Sequence, residues 1–292
     1  MRFSGALTAL VTPFKNNVVD EKAFGTLIET QIRDGIQGLV PCGTTGESAT
    51  LSHKEHEQVI EICIAVTAGR VPVLAGAGSN NTTEAVRLTK FAQKAGADGA
   101  LLITPYYNKP TQEGLYQHFK AIAEATELPL VPYNVPSRTG CNLLPATLGR
   151  LARDFPHIVG VKEATGDMVQ CSRVLEDCPE NFDVLSGDDF TALPLMSLGG
   201  KGVISVTSNV IPGRMAAMCE AFAAGDAKRA ARLHHAMFPL HEAMFMEVNP
   251  APVKTALAMM GRIREEMRLP MYPMSKANKE KLAGVLKAQG LL

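Results

Sequence analysis

Apolar residues along this 292-residue chain gather into short continuous runs, separated by longer stretches in which apolar positions recur at helical spacing. The runs are Ala6–Val11, Gly38–Pro41, Val71–Ala75, Ala100–Thr104, Leu130–Asn134, Ile158–Lys162, Asp183–Ser186 and Val203–Val206. Most are rich in Val, Leu and Ile without polar alternation, the pattern of parallel strands covered on both faces. The stretches between them carry helix signals. In "DEKAFGTLIETQIRDG" Asp20 is the N-cap and Gly35 the terminator; "SHKEHEQVIEICIAVTAG" opens with the capping-box pair Ser52 and Glu55 and closes at Gly69. "NTTEAVRLTKFAQKAG" and "TQEGLYQHFKAIAEA" follow the same grammar. Eight such units fill about the first 225 residues and predict a (β/α)8 TIM barrel over residues 1–224. Residues 225–292 are almost wholly helical in pattern and join without a Ser/Gly linker, which predicts a C-terminal helical extension packed on the barrel. A doubly wound dinucleotide fold would place G-x-G-x-x-G after the first strand, where this chain has "TPFKNN".

Composition narrows the function classes. The 29 Lys and Arg balance the 29 Asp and Glu, so the chain lacks the basic excess of a nucleic-acid or anionic-membrane surface, and charged substrates must be met by a few placed residues. The six cysteines are scattered without a CxxC pair, which reads as buried thiols of a cytoplasmic protein. The opening "MRFSGALTALVTPFK" has an early charge and an apolar run, but Thr interrupts the run and Pro13 stands where a cleavage region would be; it is expected to form a first strand. No apolar run approaches the ~18 residues of a membrane span. The Met-rich runs "MAAMCEAF" and "AMFPLHEAMFM" read as core or subunit contact.

In a (β/α)8 barrel, chemistry sits at the carboxyl ends of the strands, and the unusual residues of this chain fall there. "GLVPCGTTGES" ends the second strand, "LLITPYYNKP" the fourth, "LVPYNVPSRTG" the fifth, "VGVKEATGD" the sixth and "VLSGDD" the seventh. Tyr133 and Lys162 stand 29 residues apart, about one repeat, and should share a height on adjacent strands. By strand parity Ile158, Gly160, Lys162 and Ala164 share one face, and Glu163 leaves from the other, so Glu163 does not simply neutralise Lys162. Gly160 and Ala164 are expected to leave room around the amine. If that face lines the barrel, desolvation lowers the ammonium pKa and leaves an amine able to attack a carbonyl; the other reading is a lysine snorkelling to solvent. The "GTTGE" turn can present the amides and hydroxyls of Thr44 and Thr45 to a carboxylate, or be a plain strand–helix turn. Arg138 offers a fork for a carboxylate, or is a surface arginine, and Tyr133 can relay protons. "SLGGKGV" could form a phosphate loop or an ordinary glycine turn. His53 and His56 are one helical turn apart without the carboxylate partner of a metal motif.

Taken together, "GTTGES", "TPYYNKPTQEGLYQHF", "YNVPSRTG", "GVKEATGD", "SGDD" and "GGKGVISVTSN", in this order and at these intervals, resemble the dihydrodipicolinate synthase family, over nearly the whole chain. That family lies within the pyruvate-dependent class I aldolases, together with N-acetylneuraminate lyase. The resemblance implies a lyase in which Lys162 forms an imine with pyruvate, and the derived enamine attacks the aldehyde of L-aspartate 4-semialdehyde. The product would be 4-hydroxy-tetrahydrodipicolinate, in lysine and diaminopimelate biosynthesis. Tyr133 would be the main proton donor and acceptor, with Thr44 and Tyr107 completing the relay and Tyr107 supplied by a neighbouring subunit. Thr45 and adjoining amides would hold the pyruvate carboxylate, Arg138 that of the semialdehyde, and Gly187 and the Ile204 carbonyl would shape the pocket. No cofactor or metal is implied beyond the covalent imine. The family further implies a homotetramer built as a dimer of dimers, and an L-lysine feedback site at Ser48, Ala49, His53, His56, Asn80, Glu84 and Tyr106. Arg138 favours the synthase over a sister aldolase acting on a sialic or 2-keto-3-deoxy sugar acid.

Overall fold

The computed structural model describes residues 3–292; Met1 and Arg2, at the head of the leader-like stretch, lie outside the described residues. In chain order the described strands are β1 (Gly5–Ala9), β2 (Phe14–Lys15), β3 (Val18–Val19), β4 (Gly38–Val40), β5 (Leu74–Gly76), β6 (Gly99–Ile103), β7 (Leu130–Asn134), β8 (Gly160–Glu163), β9 (Asp183–Ser186) and β10 (Gly202–Ser205). β2 and β3 form a small antiparallel hairpin; the other eight are parallel strands, each followed by helical structure. This is the (β/α)8 class, and the helices Ala227–Met244, Ala251–Met259 and Lys276–Ala288 follow it.

The chain forms two compact units. The first joins the stretch ending at Gly5 to Pro72–Ile204. Its strands pair in the order β5-β6-β7-β8-β9-β10, all parallel, with Ala100 opposite Leu130, Tyr133 opposite Lys162 and Lys162 opposite Leu185. The strand runs lie buried on both faces because helices such as Thr82–Ala95 and Gln112–Ala123 each turn an apolar stripe inward, the second through Leu115, Phe119 and Ile122. Close backbone approach fixes several glycines here. A Cβ on Gly202, which has φ +150°, would lie 2.0 Å from the Gly5 carbonyl oxygen, and one on Gly200 2.7 Å from the Leu195 side chain. The glycines of "SLGGKGV" thus answer to packing at the start of β10.

The second unit comprises Ala6–Val71 and Ser205–Leu292. β1 and β4 pair in parallel through Leu7 and Gly38, Thr8 and Leu39, and Ala9 and Val40. Asp20 caps helix Glu21–Arg33 by accepting from the Ala23 amide, and Ser52 and Glu55 complete a reciprocal capping box on helix His53–Thr67. Each cap satisfies amide donors that a helix start leaves open, a contribution of about 1 kcal/mol.

Three strands begin or end two or more residues away from their expected positions, each for a local reason. β5 starts at Leu74 because Pro72 has no amide for the ladder, and the Val73 amide goes to the Asp98 carboxylate at 2.8 Å. β1 stops at Ala9, and beyond it the Val11 amide donates to the Asn209 side chain at 3.2 Å. Ile158 makes only an isolated bridge to Leu130, so β8 begins at Gly160.

Candidate active site

At the carboxyl end of β8, Lys162 is 6% exposed and stands in register with Tyr133, itself 7% exposed. Lys162 Nζ lies 4.2 Å from the centroid of the Tyr133 ring, within cation–π range. Alternation sends Glu163 to the other face. There its carboxylate accepts from the Asn134 and Gln170 side-chain amides at 3.1 and 3.2 Å and from the Thr165 amide at 2.8 Å. Glu163 is therefore satisfied by its own network.

Gly160 serves a different purpose from the one its parity suggests. A Cβ there would lie 2.3 Å from the Asp183 carbonyl oxygen, so it is small to admit β9, not to clear space around the amine. Gly187 is the residue that packs beside the site. Its amide donates to the Glu163 carbonyl at 2.7 Å, and a Cβ on it would lie 2.4 Å from the Ala164 Cβ. Ile204 is fully buried on β10, the neighbour of β9.

Burial pushes the Lys162 ammonium down to about 8; the charges of Asp188 and Asp189 act against that shift, and Arg138 adds to it. Asp188 responds in the opposite direction. Burial lifts its carboxyl to about 6, while the Lys162 charge opposes the rise. Asp188 follows Gly187 at the end of β9, where the Ser186 hydroxyl donates to the Asp188 carbonyl at 2.7 Å.

Arg138 sits on the one-turn helix Pro136–Thr139 after β7 and is exposed. Thr139 is buried, with its hydroxyl donating to the Val135 and Cys141 carbonyls at 3.2 and 3.0 Å, and the Cys141 thiol donates to the Pro105 carbonyl at 3.2 Å. These bonds tie the arginine's turn to the loop after β6. On that loop Tyr107 is 88% exposed and holds φ +71°, a left-handed conformation costly for an aromatic residue. Asn80 donates from its side chain to the Tyr106 carbonyl at 3.2 Å, and Glu84 accepts from the Ser79 hydroxyl.

The "GTTGE" turn belongs to the second unit. Thr44 is half-buried and Thr45 is 2% exposed, its hydroxyl oxygen accepting from the Asn249 side-chain amide at 3.0 Å. With its oxygen so engaged, the Thr45 hydroxyl keeps its proton for another acceptor. Gly46 is required by crowding: a Cβ would lie 3.1 Å from the Leu10 carbonyl oxygen and 3.3 Å from the Cys42 amide nitrogen. Ser48 and Ala49 follow on a 3₁₀ turn, His53 is exposed at the start of its helix, and His56 is buried one turn on.

Within the first unit the structure brings Lys162 against Tyr133 and Asn80 against Tyr106; Thr44, Thr45, Ser48, Ala49, His53 and His56 all belong to the second. Sequence reasoning quoted Asp188 within "VLSGDD" at a strand's carboxyl end, where chemistry is expected, but gave it no role, and it did not pair Glu47 with Lys254. Among the described residues no three His, Cys, Asp or Glu side chains group as metal ligands, and no helix is long and apolar enough to cross a membrane.

A profile of the dihydrodipicolinate synthetase family matches residues 2–289. The chain is 65% identical to the 4-hydroxy-tetrahydrodipicolinate synthase of Nitratidesulfovibrio vulgaris strain DP4, over the full length of both chains. It is similar to the crystal structure of the chloride-inhibited dihydrodipicolinate synthase from Acinetobacter baumannii complexed with pyruvate, at 49% identity and a TM-score of 0.97 over 99% of each chain. It is also similar to the synthase from Cyanidioschyzon merolae with lysine bound, at 41% identity and a TM-score of 0.96 over 99% of each chain.

Proposed function

The chain belongs to the dihydrodipicolinate synthetase family, and on that footing we propose that it condenses pyruvate with L-aspartate 4-semialdehyde to give 4-hydroxy-tetrahydrodipicolinate. The observation that carries this reading is the buried Lys162 amine in register with Tyr133, its pKa lowered by desolvation. The neutral amine attacks C2 of pyruvate, and loss of water leaves an imine. Loss of a methyl proton gives an enamine whose carbon adds to the semialdehyde aldehyde; the semialdehyde's own amine then adds to the imine carbon, closing the ring and expelling the Lys162 amine, and no external cofactor or metal is called for. Tyr133 moves protons at these steps, in a relay with Thr44 and with Tyr107 of a neighbouring subunit. The high exposure of Tyr107 at a strained loop tip supports that assignment. Thr45 and the adjacent amides hold the pyruvate carboxylate, Arg138 holds that of the semialdehyde, and Gly187 and the Ile204 carbonyl close the pocket. The chain is a cytoplasmic enzyme and works as a homotetramer, a dimer of dimers, with residues 225–292 as the helical extension of the barrel.

The test is a paired assay, pyruvate with L-aspartate 4-semialdehyde against cleavage of sialic and 2-keto-3-deoxy sugar acids. Condensation is expected to dominate, and Arg138→Ala to raise the semialdehyde KM at least tenfold, about the 1.5–3 kcal/mol of a hydrogen bond to a charged group. Preferential cleavage of a sugar acid would transfer the site to the sister aldolases. L-lysine acts at Ser48, Ala49, His53, His56, Asn80, Glu84 and Tyr106 as a feedback inhibitor; undiminished activity at saturating lysine would remove this part of the reading.

A further inference from the structure

The second unit holds an ion pair that the proposed chemistry does not use. Glu47 closes the "GTTGE" turn in a left-handed conformation, φ 53°, which a glutamate adopts only when its surroundings hold it there. One carboxylate oxygen accepts from Lys254 Nζ at 2.5 Å and the other from the Arg268 amide at 3.0 Å. Both side chains are effectively out of solvent, Lys254 at 0% and Glu47 at 1% exposure. The Lys254 ammonium also donates to the Thr12 carbonyl at 2.9 Å and lies 4.3 Å from the Phe14 ring centroid. Thr12 in turn donates from its hydroxyl to the Gly46 carbonyl at 2.7 Å.

Lys254 is thereby bound to the closing end of the turn at two adjacent residues, through Thr12 to Gly46 and directly to Glu47. The segment that carries it also supplies Asn249, which engages the Thr45 hydroxyl oxygen. A buried ion pair is weak evidence for stability, since an apolar pair of equal volume serves a fold as well or better. What an apolar pair could not do is fix the Thr44 and Thr45 donors in one orientation.

We propose that Lys254, acting through Glu47 and Thr12, is a positioning residue for the Thr44–Thr45 turn and so sets the enzyme's affinity for the carboxylate of its keto-acid substrate. The proposal rests on the reading that this turn binds the pyruvate carboxylate. Neither Glu47 nor Lys254 touches substrate. Their effect falls on the geometry of donors that do, and a misplaced donor weakens binding of the substrate before it slows the chemical step.

The test uses the full-length enzyme and compares Glu47→Gln/Lys254→Met with Glu47→Asp and Thr45→Val. The double variant leaves no unpaired charge in the interior, and its thermal midpoint is expected to stay close to that of the parent. Its pyruvate KM is expected to rise at least tenfold, while kcat at saturating pyruvate and the semialdehyde KM change less than threefold. Glu47→Asp keeps the charges balanced but shortens the tether by one methylene, and should raise the pyruvate KM at least threefold; it answers the question even if the double variant does not fold. A folded Glu47→Asp or double variant with the parent's pyruvate KM would overturn the proposal. Thr45→Val separates the two readings. If it raises the pyruvate KM and the ion-pair variants do not, the positioning role falls alone; if it leaves the KM unchanged, the carboxylate site itself has been misassigned.

Discussion

Lys162→Ala is expected to abolish pyruvate trapping by borohydride and to lower turnover on the order of 10⁴-fold or more, since in the proposed mechanism every later step passes through the amine. In the parent enzyme, borohydride in the presence of pyruvate should reduce the imine to a stable secondary amine, and mass mapping should place the adduct on Lys162. An adduct on another lysine, or none, would sink both the synthase and the sister-aldolase readings. The pH dependence has a definite sign. Only the neutral amine is nucleophilic, and burial brings the ammonium down to about 8. Imine formation should therefore rise with pH up to about 8 and level off above it. At pH 7 roughly a tenth of the sites carry the neutral amine, against roughly 0.03% for an unperturbed lysine. The same burial costs stability. Between about 8 and the ordinary lysine value the unfolded chain binds more protons than the folded one, so this group's contribution to stability rises with pH across that window and is at its least favourable below it.

The barrel was legible because parallel strands buried on both faces leave unbroken apolar runs. The 29-residue interval between Tyr133 and Lys162 became the observed register for the same reason: one strand–helix repeat advances the chain by one strand at constant height. Parity separated Lys162 from Glu163 correctly, yet misjudged Gly160, because alternation says which face a residue is on and nothing about how closely the next strand approaches. The β2–β3 hairpin was passed over although Asn16 and Asn17, both left-handed with φ 54° and 61°, supply a turn signal; strands of two residues are too short to show a period. The Glu47–Lys254 pair had no local signal. Its partners are 207 residues apart, and a lysine inside an apolar helix segment looks the same in sequence whether it reaches solvent or a carboxylate.

Tyr133→Phe is the substitution that separates proton transfer from packing in this site. The ring stays, so the apolar contacts of a residue only 7% exposed are kept, and so is the π-face 4.2 Å from Lys162 Nζ. That face favours the ammonium over the amine, which means its retention should hold the pH midpoint of imine formation near its parent value. What is lost is one hydroxyl. A positioned general acid–base group is worth about 10²- to 10⁴-fold, so kcat should fall by at least 10² while the pyruvate KM moves little. Slow trapping of pyruvate on Lys162 should survive, because the proposed nucleophile is intact and only the proposed proton partner is missing. A structural role for Tyr133 makes the opposite forecast: a lowered thermal midpoint, a shifted pH midpoint, and a turnover that falls only as far as the folded fraction does. A phenylalanine variant that keeps more than about a tenth of parental kcat would take Tyr133 out of the relay and leave Lys162 in search of another proton carrier.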